Sequence, residues 1–240
     1  RNTLRYCALP AAPREGREPV LLNSGIRHAI IPPAHDVHTA TLKMPDQQGL
    51  QPTRWYPHRH YPRSGIPADL AGWLLDPASL TRRLLQLCPD AFRVRLLSQQ
   101  WGRPRADEAQ ALGMRYDGQA IIRQVQLLCD DSPWVYARTV IPATSMRGKL
   151  KRLAHLGTRP LGAMLFADPG MRRGIVELAR ITRGQQLYVD ALQRPGKHTD
   201  AVWGRRSVFR ITGKPLLVSE IFLPGFPAQS AVRPLWKAGQ

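Results

Sequence analysis

Residues 215–223 read PLLVSEIFL. Taken as a strand, the run sends successive side chains to opposite faces, so Leu216, Val218, Glu220 and Phe222 share one. That face is apolar except for Glu220, and a carboxylate buried without compensation is expensive. The run AIIRQVQLL at 120–128 repeats the anomaly with the opposite sign. One of its faces carries Ile121, Arg123, Val125 and Leu127. An arginine and a glutamate thus each enter an apolar layer, from different strands. Two readings are open at this point. The two form a structural ion pair, or they line a pocket for a small, anionic, hydroxylated ligand.

Similar strand-like stretches recur at 92–99, 119–129, 134–141, 174–181 and 202–211, ahead of 215–223. CDDSP separates the second from the third, and TGK the last two, as hairpin connections do. ADLAGWLL, from Ala68, has the pattern of a short helix ended at Asp76-Pro77. SLTRRLLQLC follows as a second helix, with Leu80, Leu84, Leu85 and Cys88 on one stripe. Residues 145–156 place Met146, Lys149, Leu150, Leu153 and Leu156 at helical spacing, with Gly157 as the C-cap. Residues 185–200 read as a long loop. Hairpin-joined strands with a few helices predict a single α+β domain built on an antiparallel sheet.

Residues 1–52 are broken by Pro10, Pro13, Pro19, Pro32, Pro33, Pro45 and Pro52 and read as a mobile or loosely packed extension. The following RWYPHRHYPRSGIP reads as a linker packed on the core; His58 and His60 lack the further ligands that a metal site needs. Apolar content of 43% suits a globular chain of 240 residues. No apolar run reaches the ~18 residues of a membrane span, and no signal-peptide pattern opens the chain. The net charge is +18, of which residues 1–52, with six basic and four acidic residues, hold little. Such a field attracts anions: nucleic acid, acidic lipid or a small dicarboxylate. Cys7, Cys88 and Cys129 are odd in number and far apart; they read as inert thiols in a reducing cytoplasm. Gly-rich phosphate loops, HExxH, GxSxG, zinc-finger spacing and RNP-type aromatic motifs are absent. A chain with these residues would catalyse chiefly by positioning and electrostatics.

The stretch AVWGRRSVFRITGKPLLVSEIFLP resembles the C-terminal signature of the chorismate lyase family, and IIRQVQLLCDDSPWVYARTVIP its central hairpin. RPLGAMLF is similar to the family's loop-helix, and DLAGWLLDPASLTRRL to its N-terminal helical pair. The resemblance covers roughly residues 55–226. It implies one domain at 53–228, followed by a tail at 229–240. It further implies a six-stranded antiparallel sheet, with flanking helices forming two flaps over an internal ligand site. The implied reaction splits chorismate into 4-hydroxybenzoate and pyruvate, the first step of bacterial ubiquinone synthesis, with no metal or organic cofactor. By this resemblance Arg123 holds the ring carboxylate and Glu220 meets the ring hydroxyl. The flap contacts fall on Leu80, where a methionine is common, and on Leu161. Arg138 matches a further basic position beside the site; a surface cation–π role is its alternative. Arg138, Arg205 or Arg206 would neutralise the substrate's second carboxylate. The expected partners are chorismate and 4-hydroxybenzoate, not a specific nucleic acid, and the expected state is a cytoplasmic monomer. Two other classes stay open: a small-molecule-sensing domain of the same fold, and a basic nucleic-acid-binding protein.

Overall fold

The computed structural model describes residues 49–62, 65–193 and 199–228. The segment up to residue 48, with Cys7, and the tail 229–240 lie outside the described residues. The rest is an α+β fold around one antiparallel sheet. Its strands are β1 (Tyr56–Pro57), β2 (Phe92–Gly102), β3 (Ala120–Cys129), β4 (Ser132–Pro142), β5 (Arg172–Arg173), β6 (Glu177–Thr182), β7 (Ala201–Ile211) and β8 (Lys214–Phe222). Six are long and match the stretches read from alternation. The two-residue β1 and β5 bring the sheet to eight strands rather than six. The order is β1-β6-β7-β8-β4-β3-β2, with β5 paired to β7.

Two turns set the register that matters. Thr212 and Gly213, at φ 49° and 75°, make a two-residue hairpin that pairs Ile211 with Lys214. Positive φ at both central residues suits the right-handed twist of the flanking strands. Counting back from that turn, Arg205 stands opposite Glu220. The β3–β4 hairpin is irregular. Leu128 pairs with Pro133 but Leu127 with Val135, so Trp134 is an extra residue on β4. A bulge of this kind shifts every later pairing by one residue.

Helices cover both sheet faces. One face is packed by α1 (Ala68–Leu74), α2 (Leu80–Leu87) and, further along the chain, a 3-10 helix at Gly148–His155. The opposite face is packed by α3 (Ala106–Leu112). A fourth helix, α4 (Leu161–Phe166), joins the first face, and α5 (Gln186–Leu192) the second. Ser79 caps α2, its Oγ accepting from the Arg82 amide at 3.4 Å. Leu80 and Leu84 bury on Trp73, Val125 and Phe222.

Four local readings are corrected. Residues 145–156 are not one α-helix, because Gly148 at φ 56° breaks a continuous helix from Ser145 and leaves a tighter 3-10 turn behind it. The stretch 185–200 contains α5, whose Leu187, Tyr188 and Ala191 bury against Tyr136 and Ile221; packing rather than propensity makes it a helix. Leu85 faces outward, 38% exposed, instead of joining the α2 stripe. Cys88 and Cys129 are not free thiols: they form a disulfide with Cα atoms 6.0 Å apart, within bridging range. The antiparallel ladder brings the end of β3 beneath the end of α2, a proximity that the 41-residue separation hides.

Candidate active site

Arg123 pairs with Thr139 and Glu220 with Ala137, both on β4. The two β4 residues are two positions apart and point the same way from the pleat, so Arg123 and Glu220 share a face. They flank β4 rather than sitting on adjacent strands. Standard strand spacing and rise put their Cα atoms roughly 12 Å apart on the diagonal. Between them lies a cavity of about 40 Å³, several times the space that one water needs. Arg123, Val125, Ala137, Thr139, Phe209, Val218 and Glu220 form its floor. Ser79, Leu80 and Thr81 of the α2 start and Pro160, Leu161 and Gly162 of the α4 start cover it. The lining is mainly apolar, with one basic and one acidic pole.

The two poles do not pair with each other. Arg123 donates to Gln99 Oε1 at 3.2 Å, to Gly157 O at 2.7 Å and to Arg159 O at 3.3 Å. Gln99 is its cross-strand partner on β2 and donates in turn to Ala154 O at 2.6 Å. Gly157, at φ 57°, lets the chain turn so that carbonyls face the guanidinium. All three acceptors are neutral, and among the described residues no carboxylate pairs with Arg123. Only 2% of the residue is exposed. Burial pulls its pKa below the ordinary arginine value, yet an arginine stays protonated. Its positive charge therefore faces the cavity with only neutral partners among the described residues.

Glu220 accepts from Arg205 Nε at 2.6 Å through Oε2. Arg205, opposite it on β7, also donates to Trp73 O at 2.6 Å and Asp76 O at 2.7 Å. Arg173 reaches the same connection: it donates to Pro77 O at 2.7 Å and to Ser207 Oγ at 3.1 Å, with its guanidinium 5.4 Å from the Phe209 ring centre. Burial, and secondarily the neighbouring Arg205 charge, lowers its pKa to about 10.

Leu80 and Leu161 both reach the cavity, from the first turns of α2 and α4. Arg138 does not. The cavity-lining residues Ala137 and Thr139 bracket it, so its side chain leaves the opposite sheet face. There it grips Glu108 of α3 through two bonds, 2.6 Å and 3.0 Å. Burial by itself would push Glu108 up and pull Arg138 down; the two-pronged contact outweighs it and shifts both the other way. The pair is structural, and neither the basic position beside the site nor the surface cation–π role fits Arg138. Arg206 lies on that far face too, bonded to Glu177 and Asp107, each at 2.7 Å.

Gln99, Arg173 and Gly162 escaped the sequence reading. A Cβ on Gly162 would come within 2.8 Å of Thr81 Oγ1 and 3.3 Å of Ser79 Oγ, so the α4 backbone meets the side chains at the start of α2 there. No described helix is long and apolar enough to cross a membrane.

A model of the chorismate lyase family matches residues 54–231. A protein of Aromatoleum aromaticum named "Probable chorismate pyruvate-lyase" is 42% identical over 165 residues, 68% of this chain and 89% of its own length. One of the same name from Thiobacillus denitrificans is 42% identical over 178 residues, 74% of this chain and 92% of its own. Among solved structures, the ligand-binding domain of a GntR-family regulator from Bordetella bronchiseptica aligns with 56% of this chain and 86% of its own, at 19% identity. The TM-score is 0.42. With the family model spanning the whole sheet and both covering helices, the chain belongs to the chorismate lyase family.

Proposed function

We propose that this protein is a chorismate pyruvate-lyase, converting chorismate to 4-hydroxybenzoate and pyruvate as the first step of ubiquinone biosynthesis. The observation that carries the reading is Arg123: a buried guanidinium without a carboxylate partner among the described residues, on the wall of a mainly apolar cavity that also carries Glu220. Arg123 binds the ring carboxylate, and its unengaged N–H groups supply the fork. Glu220, on the same face, accepts the hydrogen bond of the ring hydroxyl. Leu80 and Leu161 exclude water as flaps. The bound conformer lets the hydrogen on the hydroxyl-bearing carbon pass to the enolpyruvyl methylene. The ether carbon–oxygen bond breaks, the new methyl ketone leaves as pyruvate, and the ring becomes aromatic. Aromatisation supplies the driving force, so the enzyme contributes orientation and charge and needs no cofactor.

We take the enzyme to be a monomer of the cytoplasm acting on a free small molecule, with 53–228 as its catalytic domain. The Cys88–Cys129 bridge removes the thiol argument for that compartment; titrating free thiols in protein isolated without reductant shows which redox state the cell maintains. The functional test mixes purified protein with chorismate and follows 4-hydroxybenzoate by absorbance. Stoichiometric formation of both products supports the reading. Tight 4-hydroxybenzoate binding without turnover would move the chain to the sensing class.

A further inference from the structure

Arg205 is 1% exposed, more deeply buried than either pole of the cavity. It lines no part of that cavity, yet its carboxylate acceptor, Glu220, does, and its two carbonyl acceptors lie just ahead of the α2 residues that do. Its Nε bonds Glu220 Oε2 at 2.6 Å. Its Nη1 bonds the carbonyls of Trp73 and Asp76, at the end of α1 and in the connection to α2. Arg173 donates to the carbonyls of Asp76 and Pro77 in the same connection, at 3.3 Å and 2.7 Å. The next residues, Ser79, Leu80 and Thr81, cover the cavity. Two like charges converge on one short segment, and Glu220 is the carboxylate that pairs with Arg205. Glu220 Oε1 has no donor among the described residues.

We propose that Arg205 is the positioning residue of this site: it orients Glu220, with Oε1 left for the ligand, and through the same guanidinium it fixes the segment from which the α2 cover starts. The proposal rests on the reading of Glu220 as a ligand contact. A fork of rigid N–H groups can serve a carboxylate and two carbonyls together, whereas a lysine ammonium supplies the charge without that geometry. The two functions of Arg205 therefore separate by substitution.

The test compares wild type, Arg205→Met, Arg205→Lys and Glu220→Gln. The first measurement is ligand-free: hydrogen–deuterium exchange of the backbone amides of residues 74–82. In Arg205→Met and Arg205→Lys exchange there speeds up about tenfold or more, because neither side chain holds both carbonyls. The second measurement is 4-hydroxybenzoate binding and release. In Arg205→Met affinity falls about tenfold or more, and adding Glu220→Gln to it costs little further, because the two residues act as a unit. In Arg205→Lys affinity is less affected, but release is faster because the cover has lost its anchor. Unchanged exchange at 74–82 and unchanged affinity in Arg205→Met, with only thermal stability lowered, reduces Arg205 to a structural strut and overturns the proposal. Should Arg205→Met not fold, wild-type release from Arg205→Lys overturns it equally. Failure of wild type to bind 4-hydroxybenzoate or turn over chorismate sinks the lyase reading instead, and the ligand-free exchange still decides the part of Arg205 in anchoring the cover.

Discussion

At the scale of single residues, energetics follow from which charges have partners. Arg123→Met is expected to weaken 4-hydroxybenzoate binding by about 2–5 kcal/mol, the range for removing one member of a buried charge contact. Arg123→Lys should not restore it, because a point charge does not reproduce the fork. Calorimetric titration checks both, and an unchanged affinity removes Arg123 from the site. Glu220 keeps its Arg205 partner in these variants, so the loss belongs to the ligand contact rather than to a newly orphaned carboxylate. The Arg138–Glu108 pair behaves differently, as a wholly internal contact with side chains 7% and 4% exposed. Arg138→Met should cost up to about 3–5 kcal/mol by leaving the buried Glu108 with only the Arg105 amide and the more distant Arg105 guanidinium, and Arg138→Met with Glu108→Leu should regain part of it. The pair also marks the pH profile. Glu108 has its pKa lowered in the fold, despite burial, by Arg138. Its stabilisation is thus in place above the ordinary value near 4.3 and is lost as pH falls through the lower folded value. Denaturant unfolding between neutral and acid pH should show a shallower acid loss in the double variant than in wild type.

At the scale of elements, α2 and α4 make the cover, and Gly162 sets how closely they approach. Gly162→Ala puts a methyl 2.8 Å from Thr81 Oγ1. Either the Thr81 side chain or the helices must shift, at a cost of about 1–3 kcal/mol typical of overpacking. The expected outcome is a lower melting temperature with faster 4-hydroxybenzoate release, partly relieved by Thr81→Ala. A melting temperature and release rate equal to wild type would show that the cover yields without strain. The disulfide ties the end of α2 to the end of β3 across 41 residues. Reduction, or Cys129→Ser, should lower stability by about 2–4 kcal/mol, read from denaturant curves with and without reductant. Elements also explain why Arg138 was misplaced. Counted from the Asp130–Asp131 turn without a bulge, Arg138 would oppose Arg123 and share its face. Trp134 is the extra residue that puts Thr139 there instead. Alternation within one run tells which residues share a face, but a bulge alters which face meets which across strands.

At the scale of the whole molecule, the charge of +18 acts as a field rather than as contacts. Attraction of a dianionic substrate should make kcat/KM fall with rising ionic strength, while kcat changes little. A kcat/KM indifferent to salt would confine substrate recognition to the cavity. The sequence by itself determined the six long strands, two of their hairpins and the two charged intruders on apolar faces, because strand periodicity, turn chemistry and burial cost are local properties of the chain. It also held a signal that went unread: the Thr212–Gly213 turn, counted backwards, places Arg205 opposite Glu220. Only the tertiary structure decided that Arg123 and Glu220 keep separate partners around one cavity. It alone sent Arg138 and Arg206 to the far face, joined Cys88 to Cys129 and folded α5 out of an apparent loop. Each of these depends on register, on a bulge or on contacts between segments distant in sequence, and such contacts exist only once the sheet has closed its ladder and the helices have packed upon it.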